Sequence, residues 1–339
     1  LVGPHDDTHR YSRFDTCLLQ HAHCCQGARH PQRPVQLATT GHRVQVRPGE
    51  DRSRSGLAPP GDEIGVGVAG EGEPQRACRG GEPGTQPGVD LGERESPVGT
   101  VLGPAQIGLL AAAGRDKVLA YPRPRVTVMS YGLELVDVDR DPGLGQVFDV
   151  ASYAVAAAAE EAGADVHRIG IINAEPRQLR EAIAGNVARS ELVIITGAVG
   201  GSGADAVLAV LRELGEVDTT RVAMHPGSVQ GFGLLGDERV PVFLLPSNPV
   251  AALVIAEVMV RPAIRASLGK ASTSRHSVRA RSLRAIESIG GRRGYIRARL
   301  MRDADTGDYL VESLDGVAGG EAHLLAGFAE ANAMIRLPE

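Results

Sequence analysis

Leu192-Val-Ile-Ile-Thr-Gly-Ala-Val-Gly-Gly-Ser-Gly-Ala-Asp-Ala-Val-Leu208 is the stretch that decides the fold. Leu192–Thr196 is a short, continuous apolar run and reads as a strand buried on both faces. Thr196–Asp205 is a glycine-rich turn, and Ala204–Leu214 continues with a helical apolar period. Two further segments, His225-Pro-Gly227 and Leu244-Leu-Pro-Ser-Asn-Pro249, also follow apolar runs, and the second leads into an Ala-rich helix. A strand, a Gly or Pro/Asn turn and a helix start gather backbone N–H groups around an anion. Three such turns are expected at one edge of a parallel sheet, where α/β proteins bind ligands. The chain therefore reads as a binder of a phosphate- or oxyanion-bearing small molecule.

Outward from these turns, strands and helices alternate. Strands are expected at Arg125–Ser130, Val166–Ile172 and Val240–Leu245, with another ending at Val222–Met224. Helices are expected over Gln146–Ala162, over Pro176–Ala188 with proline at the first position, and over Pro249–Leu268, where Pro262 bends or breaks it. This order predicts an α/β fold, a doubly wound, mostly parallel sheet built from right-handed crossovers. From Ser277 the pattern becomes short alternating runs (Ser277–Leu283, Gly294–Met301, Tyr309–Ser313) with an Asp/Gly turn at Asp303–Asp308. A small C-terminal β domain is expected there, with its closing strand missing after Leu337-Pro-Glu339.

Residues 1–98 look unlike the rest. They are rich in Arg, Gly, Pro, Gln, His and Ser and show no sustained period of 2 or 3.6. Gly80-Gly-Glu-Pro-Gly-Thr-Gln-Pro-Gly88 buries too little apolar surface to offset ordering entropy. The segment reads as a disordered tail or, more sharply, as a GC-rich gene translated out of frame, since such frames yield this composition. Cys17, His21, His23, Cys24 and Cys25 lie close together here, but the periodic apolar positions that accompany structural zinc sites are lacking. The pattern changes at Gly99, where a turn and an amphipathic helix begin. The expected divisions are thus 1–98, 99–123, an α/β domain over 124–270 and the β domain over 271–339. A net charge of −5 argues against nucleic-acid binding, and no apolar run is long enough to span a bilayer. The first residues lack the pattern of a signal peptide, so the expected location is the cytoplasm.

Several ordered motifs over about 99–339 resemble the molybdopterin molybdenumtransferase family, the MoeA and gephyrin E-domain group. Ser130-Tyr-Gly-Leu-Glu-Leu135 resembles its Ser-Thr-Gly-Asp-Glu-Leu, and Gly145-Gln-Val-Phe-Asp-Val150 its Gly-Gln-Ile-Tyr-Asp-Ser/Thr. Thr196–Asp205 resembles Ser-Gly-Gly-Val-Ser-x-Gly-x-x-Asp, and Ala223-Met-His-Pro-Gly227 resembles Ala-x-Lys-Pro-Gly-Lys-Pro. Leu245-Pro-Ser-Asn-Pro-Val250 resembles Leu-Pro-Gly-Asn-Pro-Val, and Ala329-Glu-Ala-Asn332 the family's final β-barrel domain. The resemblance implies a three-layer molybdopterin-binding α/β/α domain followed by a β-barrel, with 99–123 the remnant of an N-terminal domain and connector. It also implies insertion of molybdate into adenylylated molybdopterin with Mg²⁺, release of AMP, and a homodimer.

Carried over residue by residue, the resemblance makes Glu134 and Asp205 catalytic, with Asp205 also contacting the metal. Substrate binding falls to Gly132, Asp149, Gly197, Gly200, Gly201, His225, Pro226, Gly227, Pro246, Ser247, Asn248 and Pro249. Taken without it, Asp205 is a helix N-terminal acid, Glu134 a loop charge, and Asp149 a cap of the Gln146 helix. Asn248 sets the last helix start, and the glycines permit positive φ and close approach. The chain departs from the family at Tyr131, Leu133, Ala151, Ala174 and Gly200. His225 and Ser228 stand where it carries two lysines, which weakens oxyanion binding. These losses open a second reading, a non-catalytic gephyrin-like scaffold that binds protein partners through the same fold.

Overall fold

The computed structural model describes residues 100–115, 117–314 and 325–338, together with the backbone of three strands: β1 (Arg33–Thr40), β2 (Arg43–Pro48) and β3 (Gly65–Val66). No strand was expected in this part of the chain. In β2, however, Val44 and Val46 alternate with Arg43, Gln45 and Arg47, which is a period of two. The other residues before Thr100, the Cys/His cluster included, lie outside the described ones.

Contacts divide the chain into two compact units. The described residues of Leu18–Arg123 with Arg265–Thr273 form one. Its sheet has the order β2-β1-β5-β3-β4, where β4 is Thr100–Val101 and β5 is Lys117–Ala120. Helix α1 (Pro104–Ala112), the helix expected after the turn at Gly99, starts with proline, and Leu110 packs with Leu102 on Val118 and Ala120.

The other unit holds Pro124–Ile264 and Ser274–Glu339. The alternation read from the sequence appears in it as β6 (Arg125–Ser130), α2 (Ala151–Ala162), β9 (Asp165–Ile171), α3 (Pro176–Val187), β10 (Leu192–Thr196) and α4 (Ala204–Leu214). Two two-residue strands, β7 (Leu135–Val136) and β8 (Val147–Phe148), pair with each other between β6 and α2. Helix α2 therefore begins at Ala151, not at Gln146. The reason is that Val147 and Phe148 are taken up in pairing, and that Asp149 Oδ1 accepts the Ser152 N–H at 3.1 Å, starting the helix there. Its buried residues Ala151, Val155, Ala159 and Ala162 recur along one face, and Gly163 ends it in a left-handed conformation.

After α4 come three strands, β11 (Gly215–Asp218), β12 (Met224–His225) and β13 (Gly231–Leu235); the strand expected to end at Val222–Met224 is instead the two-residue β12, which begins at Met224. Then follow β14 (Val240–Leu245) and α5 (Pro249–Ile255). The helix expected over Pro249–Leu268 continues through a π-helical turn at Ala256–Val260 into α6 (Arg261–Ser267). Pro262 lacks an N–H, and its ring conflicts with the carbonyl four residues earlier. The wider turn immediately before it accommodates that conflict without breaking the helix.

The six-stranded sheet runs β11-β13-β14-β10-β6-β9. β9, β6, β10 and β14 are parallel; β13 pairs antiparallel with β14, and β11 pairs antiparallel with β13. Helix α2 packs on α5, and α3 on α4. This is the doubly wound α/β layering predicted. Every residue of β10 is buried, as its apolar run demands, and Leu211, Ile195, Leu244 and Leu179 lie at 0% exposure in the core. Each such side chain contributes roughly 1.5–3 kcal/mol of burial.

The C-terminal β element consists of β15 (Arg281–Ser282), β16 (Arg293–Arg302), β17 (Tyr309–Ser313) and β18 (Ala333–Leu337), with the short α7 (Ala326–Glu330) before β18. The strand expected over Ser277–Leu283 shrinks to β15. The sheet order is β12-β16-β17-β15, with β18 also on β16, and among the described residues no pairing closes it into a barrel. Its first strand, β12, comes from the α/β half, with Met224 opposite Arg293.

Candidate functional site

β6, β10 and β14 are neighbours in the sheet and parallel, so their C-terminal ends lie at one edge. In chain order the four parallel strands stand as second, first, third, fourth, and the winding reverses between β6 and β10. Such a switch point leaves a crevice. A cleft of about 400 Å³ opens there, lined by Glu134, Leu135, Val147–Ala151, Thr196 and Ser247–Pro249. Each strand end thus sends a polar group to the same place: Glu134 after β6, Thr196 at the end of β10, and Ser247 with Asn248 after β14.

The glycines explain how the turns fit so closely. Gly197 has φ +76°, and a Cβ on it would lie 1.9 Å from the carbonyl oxygen of Tyr131. Only glycine lets the β10 turn cross the β6 turn at that distance. Gly203 (φ +77°) rests on the Tyr131 ring, which is buried, and Gly201 lies by the Ser247 hydroxyl. Tyr131 N–H also donates to Thr196 O at 2.9 Å. The two turns are interlocked.

Asn248 caps α5: its side-chain oxygen accepts the Ala251 N–H at 3.0 Å, with Pro249 in the first helical position. That leaves its amide N–H groups available as donors. Glu134 is held in two ways. Asn173 clasps the backbone of Gly132, accepting its N–H at 3.1 Å and donating to its carbonyl at 2.5 Å. Ser202 donates its hydroxyl to Glu134 Oε2 at 2.5 Å.

Asp149 lines the cleft yet is only 1% exposed. Its Oδ2 accepts the hydroxyls of Ser130 and Ser152, each at 2.5 Å, and lies 3.7 Å from Arg168 Nη1. A buried carboxylate needs such partners to offset its desolvation. Arg168 continues the network: Nη1 donates to Ser152, Nη2 donates to both oxygens of Asp137, and the guanidinium lies 3.6 Å over the Tyr153 ring. The Tyr153 hydroxyl, followed by the Val138 N–H and Arg168, holds the Asp137 carboxyl below its usual range, against the opposing effect of burial. The same bond raises Tyr153.

The structure brings Glu134, Asp149, Ser247, Asn248 and Pro249 to one cleft, with Gly132, Gly197, Gly200, Gly201 and Pro246 in the turns that build it. Asp205 sits apart from the lining, exposed in the first turn of α4. His225-Pro226-Gly227 does not join the others at the sheet edge, because β12 belongs to the C-terminal sheet. Gly227 (φ +105°) packs instead on Ile255 and Met224, where a Cβ would come within 2.9 Å. Sequence reasoning missed Ser130, Ser152, Arg168, Asn173 and Ser202. Of these, Ser130, which opens the Ser130–Leu135 motif, and Ser202, inside the glycine turn, stood within a motif. The cleft lining contains two carboxylates and no lysine or arginine.

Residues 127–266 match the family described as "Probable molybdopterin binding domain", and residues 279–339 match "MoeA C-terminal region (domain IV)". Molybdopterin molybdenumtransferase 1 of Mycobacterium tuberculosis is 56% identical over 250 residues, which cover 74% of this chain. Molybdopterin molybdenumtransferase of a Nostoc species is 34% identical over 249 residues, 71% of this chain. The chain spans 59% and 55% of those relatives' lengths. A molybdopterin biosynthesis MoeA protein from Pyrococcus horikosii superposes with a TM-score of 0.56 at 29% identity, covering 70% of this chain and 56% of its own.

Proposed function

This chain belongs to the molybdopterin molybdenumtransferase family, and on that premise we propose that it binds adenylylated molybdopterin in the cleft at the β6, β10 and β14 ends and inserts molybdate into it, releasing AMP. The observation that carries this reading is the convergence of Glu134, Thr196 and Asn248 from three adjacent parallel strands on one cleft of about 400 Å³. That volume suits a small ligand, and its place is the one where doubly wound sheets hold nucleotides.

Backbone N–H groups of the glycine turn and the amide of Asn248 supply donors to the pterin phosphate and its anhydride. With two carboxylates and no cation in the lining, the phosphate and molybdate oxygens need positive charge from elsewhere. Mg²⁺ fits this donor set, since it is commonly held by one or two carboxylates together with substrate phosphates. Among the described residues no cluster of three or more His, Cys, Asp or Glu could cage an ion alone. Glu134, in the lining, would hold it, and Asp205, outside the lining in the first turn of α4, is the second carboxylate that the family resemblance assigns to it; the chemistry the ion would supply is neutralisation of oxyanion charge. Asp149, being buried, acts by fixing Ser130 and the start of α2.

The names of the relatives favour the enzyme over the scaffold reading. A second copy of the chain completes a homodimer in this proposal, and the cytoplasm is its place of work. No helix among the described residues is long and apolar enough to cross a membrane. The test uses the purified full chain: molybdopterin-AMP binding by calorimetry and molybdate-dependent AMP release. Turnover lost in Asp205→Ala, with binding retained, supports the enzyme. Binding without turnover in the unaltered chain favours the scaffold, and absence of binding removes both.

A further inference from the structure

We infer that Ser202 is a positioning residue for Glu134, the group that fixes this carboxylate at the mouth of the cleft. The inference rests on the proposed ligand only for its functional consequence; the geometry stands without it.

The backbone around Glu134 has little freedom. Asn173 clasps Gly132 through both of its amide atoms, Leu135 N–H donates to Gly132 O at 3.1 Å, and Val147 N–H donates to Glu134 O at 2.9 Å. What remains free is the side chain, a half-buried glutamate with three rotatable bonds. Ser202 removes that freedom by donating to Oε2, across 68 residues of sequence. The hydroxyl is itself pre-placed. It sits between Gly201, packed by Ser247, and Gly203, packed on the Tyr131 ring. Its neighbour two positions earlier, Gly200, has φ +67°, where a side chain would be strained. The turn thus carries its hydroxyl at 202, not at 200. In the motif this segment resembles, serine and glycine stand in the opposite order. Once Oε2 is committed to the serine, Oε1 is left to face a cation or donor from the ligand, since a carboxylate has acceptor sites on both oxygens.

Two measurements on the full chain test this. The first needs no ligand: melting temperatures of Ser202→Ala, Glu134→Gln and the double variant. Coupling predicts that the double variant melts no lower than the less stable single one, whereas additive losses would overturn the inference. The second measures molybdate-dependent AMP release. Ser202→Ala is expected to lower kcat about tenfold with little change in KM, since the defect is one of orientation. Ser202→Thr, which keeps the hydroxyl, should restore it to within about threefold. Equal rates in the unaltered chain and Ser202→Ala would also overturn it. If the unaltered chain neither binds nor turns over the pterin, the proposed function fails and the melting cycle alone decides the role of Ser202.

Discussion

At the residue scale the best-supported group is a buried charge. Asp149 is tied to two serine hydroxyls, one backbone N–H and Arg168. Replacing Arg168 with Met leaves that carboxylate uncompensated, and we expect a loss of about 3 kcal/mol in denaturant unfolding, with Arg168→Lys losing less. Asp137 gives a pH dependence. Its folded value lies below the unfolded one, so its stabilising effect is complete above the unfolded value and is lost as pH falls through the folded one. Asp137→Asn should therefore flatten the decline in stability between about pH 5 and about pH 3, as urea midpoints across that range would reveal. Glu134 and Asn248 were legible in the sequence because a turn motif surrounds each. Arg168 and Asn173 were not, because their partners lie 16–41 residues away and meet them only through strand register.

At the scale of elements, turns proved easier to read than strands. Continuous apolar runs such as β10 announced themselves, while β11 and β13 contain glycines that hide a strand period. Those glycines are required: a Cβ on Gly233 would meet Glu216 O at 2.5 Å. Strand β9 holds a subtler feature. Its pairing with β6 shifts between Val128 and Met129, a bulge that leaves Ile169 unpaired and sets Gly170 at φ +85°. A Cβ there would come 3.2 Å from Arg168 Nη1, so the bulge and the charge network depend on one another. The sharpest element-scale prediction concerns the crossed turns. Gly197→Ala pushes a methyl into Tyr131 O and should cost at least about 3 kcal/mol, measured by thermal or chemical unfolding.

For the molecule as a whole, Arg275 is the clearest tie. It binds Glu161 of α2 and Glu257 of the π-helical turn, each at 2.8 Å, on the segment that leads into the C-terminal sheet. The site is half exposed, so Arg275→Ala should lower global stability by less than about 1 kcal/mol. Tryptic cleavage at the nearby Arg279 should nonetheless speed up severalfold, as a time course on gels would show. The order of the two folded parts was legible from the change of period near Ser277; what escaped notice was that they share a strand. Because β12 is drawn from residues 224–225 to flank β16, the C-terminal sheet is not encoded by one uninterrupted stretch of gene. Recombination that moved only the coding sequence for 271–339 into another protein would deliver a sheet with one edge uncovered. Such parts are inherited together, and the junction between them is a poor place for evolution, or an engineer, to cut.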